Sequence, residues 1–445
     1  MIKTPTLFIS MSLAAFSGLT AAACLEAPIS LITPSEADYY VSNVSQLHDA
    51  VNSLTDNQSI LIEPGTYDLQ STLWISESNV SIIGNSSTCD AVMLVGNGME
   101  NSNDGGVPYG IWTNAEGLTV KNLTIKDTYS SSIILNHGAH NAHLYNLGLV
   151  DAGEQFIKSN PTSINGSTYG NGNSNGLIEY SYFTYTDMPP MDESHSGGTG
   201  YTNGIDVHGG DAWTIRNNFF NNFHTPDEAD HLWNAAVHIW NGSTDMVVKN
   251  NRFVDVDRAI AYGIFNRGLD DNGDQINEAE GGIIANNMIY YRPGLFSASR
   301  TAGSDAAIIV WSSPGTLVAH NTIVNNSNQG YAIESRWNGD IGVTITNNFT
   351  DDSVDTGGDS ASVSENNRAI LSVDIFADVA IADLHLTEDI DDSMYVELID
   401  DADEDFDGDL RSLSVNVYPG ADQFINPPMP PENLQMSVAE QKIPS

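Results

Sequence analysis

The chain has 445 residues, 40% of them hydrophobic and 16% charged, with a formal net charge of −43. This composition supplies a long apolar core and excludes a disordered chain. The acidic excess argues against nucleic acid as a partner and suits work in salt, where self-repulsion is screened over roughly 4–5 Å at ~0.5 M, so that even a polyanionic polysaccharide can approach.

The N-terminus carries Lys3, an apolar run from Leu7 to Leu19 and the small residues Ala21-Ala22-Ala23, an order that predicts a secretory signal peptide over residues 1–23. Its apolar run is shorter than the roughly 20 residues needed to span a bilayer, and no other segment qualifies, so no transmembrane segment is expected. The mature chain is then secreted or periplasmic, and loss of Lys3 takes the charge from −43 to −44. Ala21-Ala22-Ala23-Cys24 is also close to a lipoprotein signal with Ala in the usual Leu position, which leaves cell-surface anchoring through Cys24 as an alternative. Cys24 and Cys89 do not make a zinc motif, and in an oxidising compartment they predict a disulfide stapling an N-terminal cap.

Val44, Leu47, Val51 and Leu54 follow Asn43 at helical spacing, which predicts a short capped helix within an N-terminal cap over 24–54. Beyond it come short apolar strands broken by turns, including Leu61-Ile62, Leu73-Trp74-Ile75 and Val80 to Gly84. A repeat then emerges in strands beginning at Gly110, Ser132, Phe156, Gly204, Ala236, Ala259, Ala307 and Ala332, with first residues 22, 24, 48, 32, 23, 48 and 25 positions apart. A second strand in most turns ends in or near asparagine, at Asn122, Asn146, Asn217-Asn218, Asn250-Asn251, Asn286-Asn287, Asn321 and Asn347-Asn348. Asparagines at inward bends bond both backbone and the next turn; the ladder lapses in Leu177 to Phe183. The pattern predicts an all-β solenoid, a right-handed parallel β-helix, over 55–350, with large loops near 161–176, 186–202, 265–280 and 293–305 walling a groove. Residues 351–445 are acidic and irregular, and read as a C-terminal cap and tail.

Side chains alternate along each repeated strand, and the apolar pairs Ile205/Val207, Val237/Ile239 and Ile308/Val310 set which face is inward. The third, outward column then holds Trp112, Ile134, Lys158, Asp206, His238, Ala261, Ile309 and Glu334, and the fifth Asn114, Asn136, Asn160, His208, Trp240, Gly263, Trp311 and Arg336. With turns about 4.8 Å apart, Lys158, Asp206, His208 and His238 make a contiguous titratable ladder, the candidate catalytic group. Trp240, Trp311, Glu334 and Arg336 are candidate substrate-binding residues, the tryptophans for their flat faces.

Two acidic loops resemble calcium loops: Asp270, Asn272 and Asp274 in one, Asp403, Asp405 and Asp407 in the other, each without a complete twelve-residue pattern. Calcium is accordingly the expected cofactor, with solvated acidic loops the competing reading. His137, His140 and His143 crowd one turn, at a spacing that suits loop positions as well as ligands.

The turn motif, the asparagine ladder and Ile62-Glu-Pro-Gly-Thr-Tyr67 resemble the pectate-lyase-like superfamily of right-handed β-helices, over roughly residues 40–350. Gly204-Ile-Asp-Val-His-Gly-Gly210, Trp240-Asn-Gly242, Asp257-Arg-Ala-Ile260, Asp405-Phe-Asp-Gly-Asp-Leu-Arg411 and Gly420-Ala-Asp422 resemble uncharacterised secreted β-helix proteins found beside polysaccharide-degrading enzymes. The superfamily includes polysaccharide lyases, glycoside hydrolases and uronate epimerases, so the resemblance implies a polysaccharide substrate without choosing the reaction. A base with a cation beside it favours a lyase acting on a uronate-containing polymer. A hydrolase or uronate C5-epimerase, and a non-catalytic carbohydrate-binding or adhesive protein, stand as alternatives. The sequence leaves the oligomeric state open.

Overall fold

The computed structural model describes residues 24–101, 106–187, 189, 202–223, 225, 235–296, 305–411 and 416–425. The signal-peptide reading falls on residues outside these, as do most of the loops near 186–202 and 293–305.

The chain is a parallel β-helix, in which one face is a ten-stranded parallel sheet and a 21-stranded sheet makes the other two. Thr119–Thr128 and His143–Ala152 run continuously through two faces, bending at Asn122 (φ 57) and Asn146 (φ 51). In later turns the bend falls one residue before the ladder, at Asn217 (φ 58), Asn250 (φ 56), Asn286 (φ 55), His320 (φ 54) and Asn347 (φ 59). Asparagine enters this left-handed region more readily than other non-glycine residues, which explains its recurrence there.

The next residue turns inward and carries the ladder. Asn218, Asn251, Asn287, Asn321 and Asn348 each donate Nδ2 to Oδ1 of the following asparagine, at 2.9–3.0 Å, and the ladder ends at Asn367. At the lapse, Tyr180 (φ 53) makes the bend and Ser181 fills the slot, its Oγ accepting from Leu147 N and donating to Glu179 O. Inside the coil, side chains stack in register, as in Phe183, Phe220 and Phe253 with ring centroids 4.5 and 4.8 Å apart.

The expected helix is present as Val44–Asn52, with Asn43 Oδ1 accepting from Gln46 N and Leu47, Ala50 and Val51 buried against the first strands. At the other end the coil continues beyond residue 350, through Val354–Asp355, Val363–Glu365 and Arg368–Ala369, each paired in parallel with the preceding turn.

The acidic segment expected to cap that end lies instead along the flank. The bend asparagines explain this, because their outward amides donate to its backbone: Asn250 to Phe406 O, Asn286 to Glu404 O and Asn347 to Glu397 O, all at 2.7–2.8 Å. Arg411, 1% exposed, locks the segment down by donating to Asn286 Oδ1 and to the carbonyls of Tyr418 and Gly420. Cys24 and Cys89 are disulfide-bonded, as the sequence predicts. The bridge packs on Val150, Tyr182 and Phe219 on the side of the coil, so it straps an N-terminal segment to the flank rather than to the helical cap.

Candidate functional site

The ten-stranded sheet fixes the outward columns. Its register places Trp74 beside Trp112, then Ile134, Lys158, Asp206, His238, Ala261, Ile309 and Glu334 in one line, with His208 beside Trp240 and Trp311 beside Arg336. Both columns stand as the alternation predicts. Trp74 extends the first by one turn, and the Leu73-Trp74-Ile75 alternation carries the signal for it.

The four candidate catalytic residues converge on Asp206, whose side chain is wholly buried. Its Oδ2 accepts from His208 Nε2 at 3.1 Å and lies 3.8 Å from Lys158 Nζ. Its Oδ1 accepts from Trp240 Nε1 at 2.9 Å and lies 3.7 Å from His238 Nδ1. Burial alone would raise the Asp206 pKa, but His208, Lys158 and His238 together hold it well below the usual carboxylate range. Asp206 is therefore an ionised anchor. Burial pushes His238 down to about 4, so it is a neutral wall of the site. Lys158 and His208 keep 22% and 18% of their side chains exposed, and are the members that meet solvent.

An ionised carboxylate only accepts, so Nε2 of His208 carries a proton, and in the neutral ring Nδ1 is left as the acceptor. Nδ1 takes no hydrogen bond from the described residues. The neutral ring thus turns Nε2 onto Asp206, with the Lys158 ammonium beside the same carboxylate.

Trp240 is half-buried. His238 stacks on it at 4.9 Å, His208 lies at 4.5 Å, and Phe265 and Arg267 lie beside it at 6.0 and 5.8 Å. Arg267 is held there by the buried Glu278. The neighbouring loops do make a wall: Tyr169 donates its hydroxyl to Asn277 O, and Ser167, Tyr169, Arg267, Asp270, Gln275 and Ile276 line a pocket of about 650 Å³.

Glu334, Arg336 and Trp311 form a separate cluster four strands from Asp206, roughly 19 Å along the axis. Arg336 lies 4.4 Å over the Trp311 ring and pairs with Glu334 and Asp305, while Arg258 holds Asp305 from the other side. The guanidinium covers Trp311, which is only 7% exposed, so this tryptophan offers no stacking face. Burial raises the pKa of Glu334 despite Arg336.

The metal candidates divide. Asp270 turns its carboxylate onto the N–H groups of Asn272 and Asp274, and the amide of Asn272 donates to its other oxygen. These bonds all lie within the loop. Asp405 does the same with Asp407 and Asp409, and Asp403 points away exposed. Asp407 instead lies with His385 and Asp422, a grouping the sequence reading missed because the three come from distant segments. His137, His140 and His143 do not converge: His140 Nδ1 accepts from Ser174 N, and His143 pairs with Glu179.

No family model matches the chain and no curated protein matches it. Solved structures with a similar coil include an alginate lyase from Paenibacillus (15% identity, covering 76% of this chain and 97% of that one, TM-score 0.47). PfbA, a surface adhesin of Streptococcus pneumoniae, aligns at 16% identity over 69% of this chain and 82% of that one, with TM-score 0.43. The catalytic unit of an α-1,3-glucanase from Streptomyces thermodiastaticus aligns at 13% identity over 77% and 70%, with TM-score 0.42. Such likeness concerns the coil and assigns no chemistry to this chain. Among the described residues no helix is long and apolar enough to cross a membrane.

Proposed function

We propose that this protein is an exported polysaccharide lyase that cleaves a uronate-containing polymer by β-elimination at the Lys158–Asp206–His208 face. The observation that carries this reading is the pairing of His208, fixed through Nε2 with Nδ1 open, with the ammonium of Lys158 beside the same carboxylate.

In the proposed step the Lys158 ammonium faces the uronate carboxylate and steadies the negative charge that develops on it. His208 Nδ1 takes the proton from the adjacent ring carbon. The electron pair left behind forms the ring double bond as the glycosidic carbon–oxygen bond breaks, and the leaving oxygen takes a proton from water. Asp206 stabilises the imidazolium formed and keeps the ring oriented.

Hydrolysis fits less well, because an acid/base pair needs carboxylates about 5–10 Å apart, and Asp206 and Glu334 are separated by roughly twice that. The test is a panel of uronate polysaccharides incubated with purified protein. New reducing ends appearing together with ultraviolet absorbance from the unsaturated product are expected. Reducing ends without absorbance would mean hydrolysis, and retention without product would mean a binding protein; either result overturns the lyase reading.

A further inference from the structure

The C-terminal segment on the flank has little regular structure, and three of its parts meet at one point. His385 comes from strand Asp383–Leu386, Asp407 from the turn after Asp405, and Asp422 from the stretch beyond Val417. One donor atom from each lies within 4.8 Å of the other two. We propose that these residues form a transition-metal site, zinc by its donor chemistry, that ties three parts of the C-terminal segment to one another.

Four observations converge on it. His385 Nε2 is shielded from solvent yet makes no hydrogen bond. It stands 3.4 Å from Asp407 Oδ1, long for a hydrogen bond between these groups. Two ligands at about 2.0–2.1 Å from a tetrahedral ion lie roughly 3.3–3.4 Å apart, so the separation matches the edge of a zinc tetrahedron.

The opposite nitrogen, Nδ1, is bonded to the Asp383 carboxylate, the arrangement that orients and strengthens a metal-ligating imidazole. Asp422, only 6% exposed, has one oxygen held by Leu386 N at 2.7 Å, which fixes its carboxyl group facing the histidine. Finally, His385 borders a pocket of about 350 Å³ lined also by Phe406, Asn250 and Arg252, so the ring lies beside open space on the flank.

The imidazole nitrogen selects against calcium and magnesium, which take oxygen ligands, and one nitrogen with two carboxylates suits zinc or its first-row neighbours. The site stands apart from Lys158 and His208 and does not depend on the reaction proposed there.

The full chain, stripped with chelator and dialysed, is titrated with zinc chloride. One equivalent is expected to bind and to raise the melting temperature by several degrees. Cobalt chloride in its place is expected to give the visible absorption of a tetrahedral nitrogen–oxygen site, which a bare histidine–aspartate ion pair does not produce. His385→Gln and Asp407→Asn should each weaken zinc binding at least 100-fold and abolish the thermal shift. Absence of stoichiometric uptake by the wild-type chain, or equally tight binding by folded His385→Gln, overturns the proposal. The cobalt spectrum needs no variant, so a variant that fails to fold does not decide the matter.

Discussion

His208 Nε2 lies 3.1 Å from Oδ2 of Asp206, a carboxylate with no exposed surface that also takes the Trp240 indole N–H at 2.9 Å. Orientation and reactivity are thereby divided between two residues. The group that meets solvent is His208, and the group that sets its tautomer is sealed beneath it.

Substitution should separate those roles. His208→Ala and Lys158→Ala remove partly exposed outward groups, so each is expected to lower polymer cleavage by about 10²-fold or more with a smaller loss of stability than Asp206→Ala. Asp206→Ala should lose both activity and stability, because it strands Lys158, His208 and the Trp240 donor around an uncharged gap, at a cost of roughly 3–5 kcal/mol. Rate assays and thermal melts on the three variants check this. Full activity in both His208→Ala and Lys158→Ala would place the site elsewhere.

Trp240→Phe keeps the ring between His208 and His238 but deletes the donor to Asp206. The expected outcome is a fall in kcat with KM nearly unchanged, since the ring is kept and only the hydrogen bond that orients Asp206 is lost. A rise in KM alone would favour the stacking role that alternation suggested.

That alternation made the outward columns legible residue by residue, because apolar pairs such as Ile205 and Val207 fix the phase and parallel pairing carries it from turn to turn. What it could not reveal is where long side chains go once they leave the sheet. Arg336 folding over Trp311 and Arg267 over Trp240 are rotamer choices set by ion pairs with Glu334, Asp305 and Glu278, and alternation along a strand carries no information on a rotamer. The course of the C-terminal segment was hidden for a related reason. It is held by bend asparagines whose structural reason for being there, a left-handed backbone, already accounted for them.

The acid limb of stability should show His238. Its folded pKa is about 4 against an ordinary 6.5, with burial the main cause, Asp206 opposing it, and His208, Arg258 and Lys158 adding to it. The unfolded chain therefore gains a proton as pH falls below about 6.5 while the folded one does not, and folding loses up to about 3 kcal/mol by pH ~4 and nothing further below. Asp206 adds its own loss only below the ordinary carboxylate range, since its folded pKa is lowered. Comparing melts at pH 7.5 and 4.5, His238→Gln should lose less than the wild type. An identical drop in both would mean that the imidazole is not held neutral.

The Cys24–Cys89 bond closes a separation of 65 residues. Chain-entropy reasoning gives it roughly 4 kcal/mol by restricting the unfolded state. Cys89→Ser, or reduction of the wild type, is expected to lower the melting temperature by several degrees without altering activity, because the strap lies on the flank. Quantitative thiol labelling of the untreated mature protein would remove the bond from the account.

The asparagine ladder permits a graded test at Asn287, which is fully buried. Its Nδ2 donates to Val248 O and Asn321 Oδ1, and its Oδ1 accepts from the backbone and side-chain nitrogens of Asn251. Asn287→Ala leaves several of those groups buried without partners, at about 1–3 kcal/mol each where no water can enter, so a loss of roughly 3 kcal/mol or more is expected. Asn287→Ser should lose distinctly less. At the corresponding slot Ser181 accepts a backbone N–H from the preceding turn and donates to a carbonyl of its own strand, so a hydroxyl can reproduce part of the amide's bonding. Denaturant melts of the two variants decide the point: equal losses would mean that the amide's bond to the next turn, which serine cannot make, carries nearly all of the stabilisation at this position.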